Sequence, residues 1–354
     1  MTPTLSSLIE QVYSPGSMHG TGFSLERWAA PSQVRYYSMG RHAFLAALRI
    51  AGVGREDQVL VPDFICREIL APLYSLGAKA IFYRVDREGL ASIIRPDTPA
   101  CKAVLAVNYF GFAQDLGSLR AYCDRTRAIL IEDNTHGFLG CDASGQFLGT
   151  RCDLGILSLR KILPIPDGAG LLINNPRLFD VAPAQLPSDR ATIPFRFFVK
   201  TALRRSVNIT GVGAMRAALG TFRALRAART GAKVPPSGIE DEKQLPENAR
   251  PCRHLQEYLS HLNPVEEVRR RRNLYMLLEK QLSPLGATPI MGSLPSGVSP
   301  YCYAFSANPV QALDLLSHLR KLQLDCHLWP QLPTKLEATA PMWQKKIWTA
   351  GFLW

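Results

Sequence analysis

Residues 128–137 read Ala-Ile-Leu-Ile-Glu-Asp-Asn-Thr-His-Gly. Four apolar residues run without alternation straight into two carboxylates. A strand that is apolar on both faces belongs inside a parallel sheet covered by helices on each side. The same kind of run recurs on either side of it: Gln58-Val59-Leu60-Val61 closed by Pro62, Ala80-Ile81-Phe82-Tyr83, Ala103 to Val107, Asp153 to Leu157, and Gly170 to Ile173. Helical stretches lie between: Ala43 to Leu48 ended by Gly52 and Gly54, residues 65–76 stopped by Gly77, and Leu116 to Cys123. Strands alternating with helices predict an α/β fold with a mostly parallel sheet. Such sheets gather ligands at the carboxyl ends of their strands. The polar residues just past those ends are therefore the candidates: Asn108, Glu132, Asp133, and Ser158 to Lys161.

The chain has 354 residues, enough for two domains at roughly 150 residues each. Residues 1–31, with scattered Gly and Pro, read as an N-terminal arm. Residues 32–245 read as a large domain and 246–354 as a smaller α/β domain. The latter carries a helix over Arg269–Leu282, a strand near Tyr301–Phe305, a helix at Val310–Leu322 and a Trp- and Pro-rich end. Hydrophobic residues at 47% and charged residues at 20% exclude wholesale disorder. The net charge of +12 suits nucleic acid, an anionic small molecule or an anionic membrane surface. Nine of those charges lie between Arg196 and Lys233, with no acid among them. That segment, within 191–239, reads as two amphipathic helices broken at Gly211 and Gly213, followed by a Pro235-Pro236 linker. Its plain reading is a solvated helical pair. Weak contact with sugar nucleotides or anionic lipid is the alternative, and no nucleic-acid motif accompanies it. The eight cysteines form no C-x-x-C, so eight free thiols and no metal site are expected. The N-terminus lacks a secretory pattern and no run of about 18 apolar residues occurs, which predicts a cytoplasmic protein.

Three strand-end motifs carry chemistry together. Glu132-Asp133-Asn134-Thr135-His136 follows an apolar strand, Ser158-Leu159-Arg160-Lys161 follows another, and Ser38-Met39-Gly40-Arg41 opens a helix. A lysine in a partly desolvated strand end has a lowered pKa and a nucleophilic amine. The free N–H groups of a helix start suit a phosphate. A lysine, a separate aspartate and a phosphate site are what pyridoxal 5'-phosphate (PLP) requires, the aspartate keeping the ring nitrogen protonated. Each residue also has a plain reading. Lys161, Arg41 and Arg160 can be solvated, Asp133 and Ser158 can be caps, His136 a core histidine, and Cys66 a small buried hydrophobe.

The runs VLVPDFICREILAPLYSLGAKAIFYRVD, AVNYFGFAQDLGSLRAYCDRTRAILIEDNTHG and GTRCDLGILSLRKILPIPDGAGLLI together resemble the DegT/DnrJ/EryC1/StrS family over about residues 35–175. The family consists of PLP-dependent aminotransferases, many acting on nucleotide-linked keto sugars. The resemblance implies the aspartate-aminotransferase-like fold (PLP fold type I) and a homodimer. It assigns Lys161 to the Schiff-base lysine, Asp133 to the ring-nitrogen partner, and His136 to a position usually held by Gln. Gly40 and Arg41 fall on the phosphate turn, Ser158 on the phosphate-binding serine, and Asn108 on the segment after the central strand. Arg160 stands next to the lysine as a second candidate phosphate contact. Cys66, with Phe64 nearby, takes the place of the side chain that stacks on the ring. Three departures stand out. The lysine follows the serine by three residues where the family has five. The aromatic stacking residue is missing. The segment that reaches over from a neighbouring subunit is echoed only by Asn248 and Arg250.

The activity implied is transfer of an amino group from glutamate or glutamine to a keto group on a nucleotide-linked sugar. The alternatives are another PLP reaction (elimination, aldol-type or non-sugar transamination) or a degenerate, non-catalytic binding or regulatory homologue.

Overall fold

The computed structural model describes residues 21–163, 165–189, 238–321 and 326–352, together with positions 221, 224, 225 and 228. Apart from those four positions, the basic helices expected over 196–233 lie outside the described residues, as do residues 1–20 of the expected arm.

A short helix α1 (Leu25–Trp28) leads into β1 (Gln33–Tyr37) and α2 (Gly40–Ile50). Then come β2 (Gln58–Pro62), a 3-10 turn at Arg67–Leu70, α3 (Ala71–Leu76), β3 (Lys79–Val85) and β4 (Ser92–Ile93). After them follow β5 (Ala103–Val107), α4 (Gly117–Thr126), β6 (Ile129–Asn134), β7 (Leu154–Leu157) and β8 (Ala169–Ile173). Eight strands form one sheet in the order β1-β8-β7-β6-β5-β2-β3-β4. Strands β7, β6, β5, β2 and β3 pair in parallel, while β8 runs antiparallel to β7 and the short β4 antiparallel to β3. All residues of β5, β7 and β8 are buried, as continuous apolar strands require. The expected fold is the one observed.

The remainder supplies α5 (Ile239–Lys243), α6 (Leu255–Ser260), α7 (Pro264–Leu282), β9 (Thr288–Pro289) and β10 (Cys302–Ser306). It ends with α8 (Pro309–Lys321), β11 (Cys326–Leu328), α9 (Thr334–Glu337) and β12 (Trp348–Gly351). Its strands make an antiparallel sheet in the order β11-β12-β10-β9. Helix α7 begins by the rules: the Asn263 side chain accepts from Glu266 N, Pro264 occupies the first turn, and Glu266 and Glu267 face the positive dipole end.

Two hydrophobic clusters flank the large sheet. One joins Leu60, Leu105 and Ile131 to Leu274, Leu278, Tyr303 and Phe305, so α7 and the small sheet share its core. The other joins Tyr36, Phe138, Leu157 and Leu172 to Leu255 and Leu259 of α6 and to Leu25 of α1. Leu25 and Ala29, within the expected arm, are thus core residues. Three further differences from the sequence reading have local causes. Strand β1 is apolar only at alternate positions at its start and gives no continuous run. The helix expected over 65–76 divides, because Pro72 lacks an N–H and suits only the first turn of α3. Strands β11 and β12 have three and four residues and pass for loop among prolines and tryptophans.

Gly155 in β7 marks where the sheet has no room. A Cβ there would fall 1.8 Å from the carbonyl oxygen of Gly149. Gly155→Ala is expected to lower stability by about 1–3 kcal/mol or more. At Gly54 a Cβ meets nothing nearer than 3.8 Å, so Gly54→Ala should stay within about 0.5 kcal/mol of the parent. Urea unfolding of the two variants checks the contrast.

Candidate active site

Strands β5, β6 and β7 end together, with Val107 opposite Asp133 and Asn134 opposite Leu157. Successive side chains of a strand point to opposite faces. Glu132 and Asn134 therefore share one face of β6, and Asp133 projects from the other.

On the first face the polar groups satisfy one another. Asn108 donates to Glu132 Oε1 at 2.8 Å and to Asn134 Oδ1 at 3.1 Å. Its Oδ1 accepts from Gln114 N at 3.0 Å and from Arg151 Nη2 at 2.9 Å. Glu132 is fully buried and pairs with Arg151, whose Nε lies 2.8 Å from Oε1 and whose backbone N lies 3.1 Å from Oε2. A side-chain amide has two donors and two acceptor sites. All four of Asn108's are in use, so it holds the sheet together and has no capacity left for a ligand. The assignment of Asn108 to cofactor binding is corrected accordingly.

On the second face Asp133 is buried and is bonded by Thr135, whose N donates to it at 2.9 Å and whose hydroxyl also bears on it. Burial pushes its carboxyl above the usual range, against the pull of Lys161. The chain leaves β7 through buried Ser158 into a 3-10 turn, Leu159–Lys161, closed by Lys161 N donating to Ser158 O at 3.3 Å. Lys161 Nζ donates to Thr135 Oγ1 at 3.4 Å and lies 5.7 Å from the centroid of the Tyr301 ring. Burial lowers the Lys161 pKa, while Cys66 and Asp133 favour its charged form. Cys66 precedes the Arg67–Leu70 turn. Burial and Glu68 push its thiol up, and it feels Lys161 and Asp133 together.

Gly40 opens α2, and no side chain caps that helix start. A Cβ on Gly40 would sit 3.3 Å from Thr135 Cγ2. The free N–H groups of the helix thus abut the threonine that meets Lys161. Arg41 and Arg160 stand at the rim. Arg41 donates to the carbonyl of Asp241 at 3.4 Å, and the Arg160 side chain is exposed. Asn248 and its neighbours lie against the same helix within one chain: Ser38 Oγ donates to Asn248 O at 2.6 Å and Ser38 N to Ala249 O at 3.0 Å.

His136 is buried, and its Nδ1 has no partner among the described residues. Burial and the nearby Lys161 hold the imidazole well below its ordinary pKa, hence neutral. Its ring stacks on Tyr301 at 4.6 Å and 2° and faces Phe110 at 6.1 Å and 9°. Trp329 closes the group edge-on, 5.4 Å from His136 and 5.0 Å from Phe110. Phe110 adopts φ 55°, a strained conformation for a bulky residue. Sequence reasoning missed Thr135, Tyr301 and Trp329. A strand near Tyr301 and a Trp-rich end were legible, but nothing local says that either meets Lys161.

Residues 35–183 match the DegT/DnrJ/EryC1/StrS aminotransferase family model. A GDP-perosamine synthase of Vibrio cholerae is 30% identical over 143 residues, covering 39% of each protein. An L-glutamine:2-deoxy-scyllo-inosose aminotransferase of Streptoalloteichus tenebrarius is 29% identical over 145 residues, covering 39% of this chain and 34% of that one. The chain thus spans well under half the length of these relatives. A DegT DnrJ EryC1 StrS aminotransferase from Brucella abortus shares the fold, with a TM-score of 0.59, 16% identity, and coverage of 92% of this chain and 82% of that one. Over residues 35–183 the chain is similar to this family at low identity.

The network behind Asp133 makes its own prediction. Arg151→Met leaves Glu132 as an unpaired buried charge, which costs about 3–5 kcal/mol. Chemical denaturation of Arg151→Met and of the double variant Arg151→Met/Glu132→Leu checks it: the second change should restore part of the loss.

Proposed function

We propose that the chain is a PLP-dependent aminotransferase that moves an amino group from glutamate or glutamine to a keto group on a nucleotide-linked sugar. The observation that carries the reading is the convergence of Lys161 and Asp133, from the ends of two strands, on Thr135: Lys161 Nζ donates to its Oγ1 at 3.4 Å and its N donates to Asp133 at 2.9 Å inside a buried site. The residues fit the cofactor. The orphaned Nδ1 of His136 lies within the field of Lys161, where a ring hydroxyl would give it a partner. The uncapped start of α2 at Gly40, with Ser158, suits a phosphate. Cys66, which feels both Lys161 and Asp133, lies beside the space between them.

When bound, PLP supplies an electron sink for a carbanion at the amino-donor carbon. Asp133 would hold a ring N–H through a charge-assisted hydrogen bond, and that proton's charge offsets the burial that raises the Asp133 pKa. Lys161, its pKa lowered by burial, gives up its proton more readily than an exposed lysine. Its Nζ would take the proton from the donor α-carbon and pass it to the cofactor that keeps the amino group, and in the second half-reaction give a proton to the carbon of the keto acceptor that becomes aminated. His136 stays neutral, so it does not add positive charge beside Lys161. Tyr301, His136 and Trp329 exclude water from that amine. The substrate class rests on the names of the relatives, a GDP-perosamine synthase and a glutamine-dependent aminotransferase. A homodimer is part of the reading, and light scattering at micromolar concentration tests it.

Reconstitution with PLP tests the whole. The parent should acquire a visible absorbance band and transfer labelled donor nitrogen to a member of a keto-sugar-nucleotide panel, read by mass spectrometry. Lys161→Ala should lose both the band and turnover. Asp133→Asn should weaken cofactor binding at least tenfold, since a charge-assisted bond contributes roughly 1.5–3 kcal/mol. A parent chain that gains no band ends the proposal.

A further inference from the structure

Arg271 is a fully buried arginine on α7, far along the chain from every residue assigned above. Its Nη2 donates to the carbonyl of Ile162 at 3.1 Å, the residue next to Lys161. Its Nη1 reaches the carbonyls of Pro300 at 3.3 Å and Tyr301 at 3.5 Å. Its Nε donates to Glu267 Oε1 at 2.6 Å. Glu267 also takes both bonds of Arg270, at 2.9 and 2.8 Å, so the buried charge is paired from two sides. One planar group therefore bridges the turn that carries Lys161 and the strand entrance that carries Tyr301. A buried guanidinium is costly unless all of its donors find partners. Here Nε is spent on Glu267 and the two Nη groups on backbone carbonyls of two elements.

We infer that Arg271 is a positioning residue of the reaction centre: it holds the Lys161 turn against Tyr301, so that the amine stays under the Tyr301 ring and shielded from water. The inference deepens the aminotransferase reading and rests on it for its meaning, though not for its geometry. Lysine cannot replace this arginine, because an ammonium is a point charge and cannot span three carbonyls in a plane. The groups that face Lys161 are Asp133 and His136 from the end of β6, Cys66 and Glu68 from the Arg67–Leu70 turn, Arg160 on its own turn, Tyr301 before β10 and Cys302 at its start. Arg271→Lys keeps the charge at 271 and substitutes none of them, so a shift in the behaviour of Lys161 reports its placement against them.

The test uses the full chain without added cofactor. An amine-reactive acylating reagent is applied across a pH series, and labelling of Lys161 is followed by peptide mass spectrometry, with exposed Lys79 as the internal reference. In the parent, Lys161 should label with a midpoint below that of Lys79. In Arg271→Lys the turn slackens and water reaches the amine, and the midpoint should move up toward that of Lys79 by about one pH unit. Tyr301→Ala, which opens the ring's space to water, should move it the same way, and Tyr301→Phe should leave it in place. A folded Arg271→Lys chain with the parent's midpoint overturns the inference. If Arg271→Lys does not fold, the tyrosine pair decides: equal midpoints for Tyr301→Ala and the parent overturn it as well. Loss of PLP binding by the parent would sink the aminotransferase reading and leave these midpoints unchanged, so the two failures are separable.

Discussion

Strands β6 and β7 are parallel neighbours that end in register, Asn134 beside Leu157. The whole site depends on that alignment. Parallel strands deliver their carboxyl ends to one edge of the sheet, so residues remote in sequence emerge side by side. Asp133 arrives on β6 and Lys161 one tight turn beyond β7. Strand β8 then returns antiparallel, and its approach places Gly168 N on the carbonyl of Ser38 at 2.7 Å. That bond anchors the residue just before α2, which sets Gly40 against Thr135. The uncapped start of α2 and the amine are thus held close to one another by strand ends and one turn.

Two adjacent carboxylates show how the pleat assigns roles. Glu132 and Asp133 are chemically alike and both are buried. Glu132 faces Arg151 and Asn108 and is satisfied on both oxygens. Asp133 faces the crevice, bonded by Thr135 alone among its near neighbours in the chain. The pair on Glu132 makes a rigid floor. A buried carboxyl raised by its burial, beside an amine whose pKa burial has lowered, is the condition expected of a working group. A slip of one residue in β6 would exchange the two faces, which makes the network on Glu132 a lock on the register as well as on the fold.

Most of the large sheet was legible because its strands announce themselves. Ala103 to Val107 is apolar at every position, and the observed strand has those bounds. Lys161 and Asp133 were named by the rule that such sheets bind at their strand ends, and both meet Thr135. The same rule named Asn108, whose side chain is filled by neighbouring residues instead. It says which residues reach the edge but not which already have all their hydrogen bonds. Tyr301, Trp329 and Arg271 were beyond local reading. Each acts through contacts between the large sheet and the C-terminal part, and an arginine among Arg269-Arg270-Arg271-Arg272 looks like a solvated run until one of the four proves to be fully buried.

The short spacing between Ser158 and Lys161 is where this chain departs from the family it resembles, and the backbone there is a single tight turn. The connection is one 3-10 turn, in which residues three apart eclipse each other. Ser158 itself is extended, at φ −113° and ψ 93°, and the turn that it opens is held by Lys161 N on Ser158 O and by Ile162 N and Leu163 N on Leu159 O. The carbonyl of Ile162, just past the lysine, accepts from Arg271. The deletion and the buried arginine are in this sense one feature: the shorter the turn that carries the amine, the more its placement depends on a group outside it.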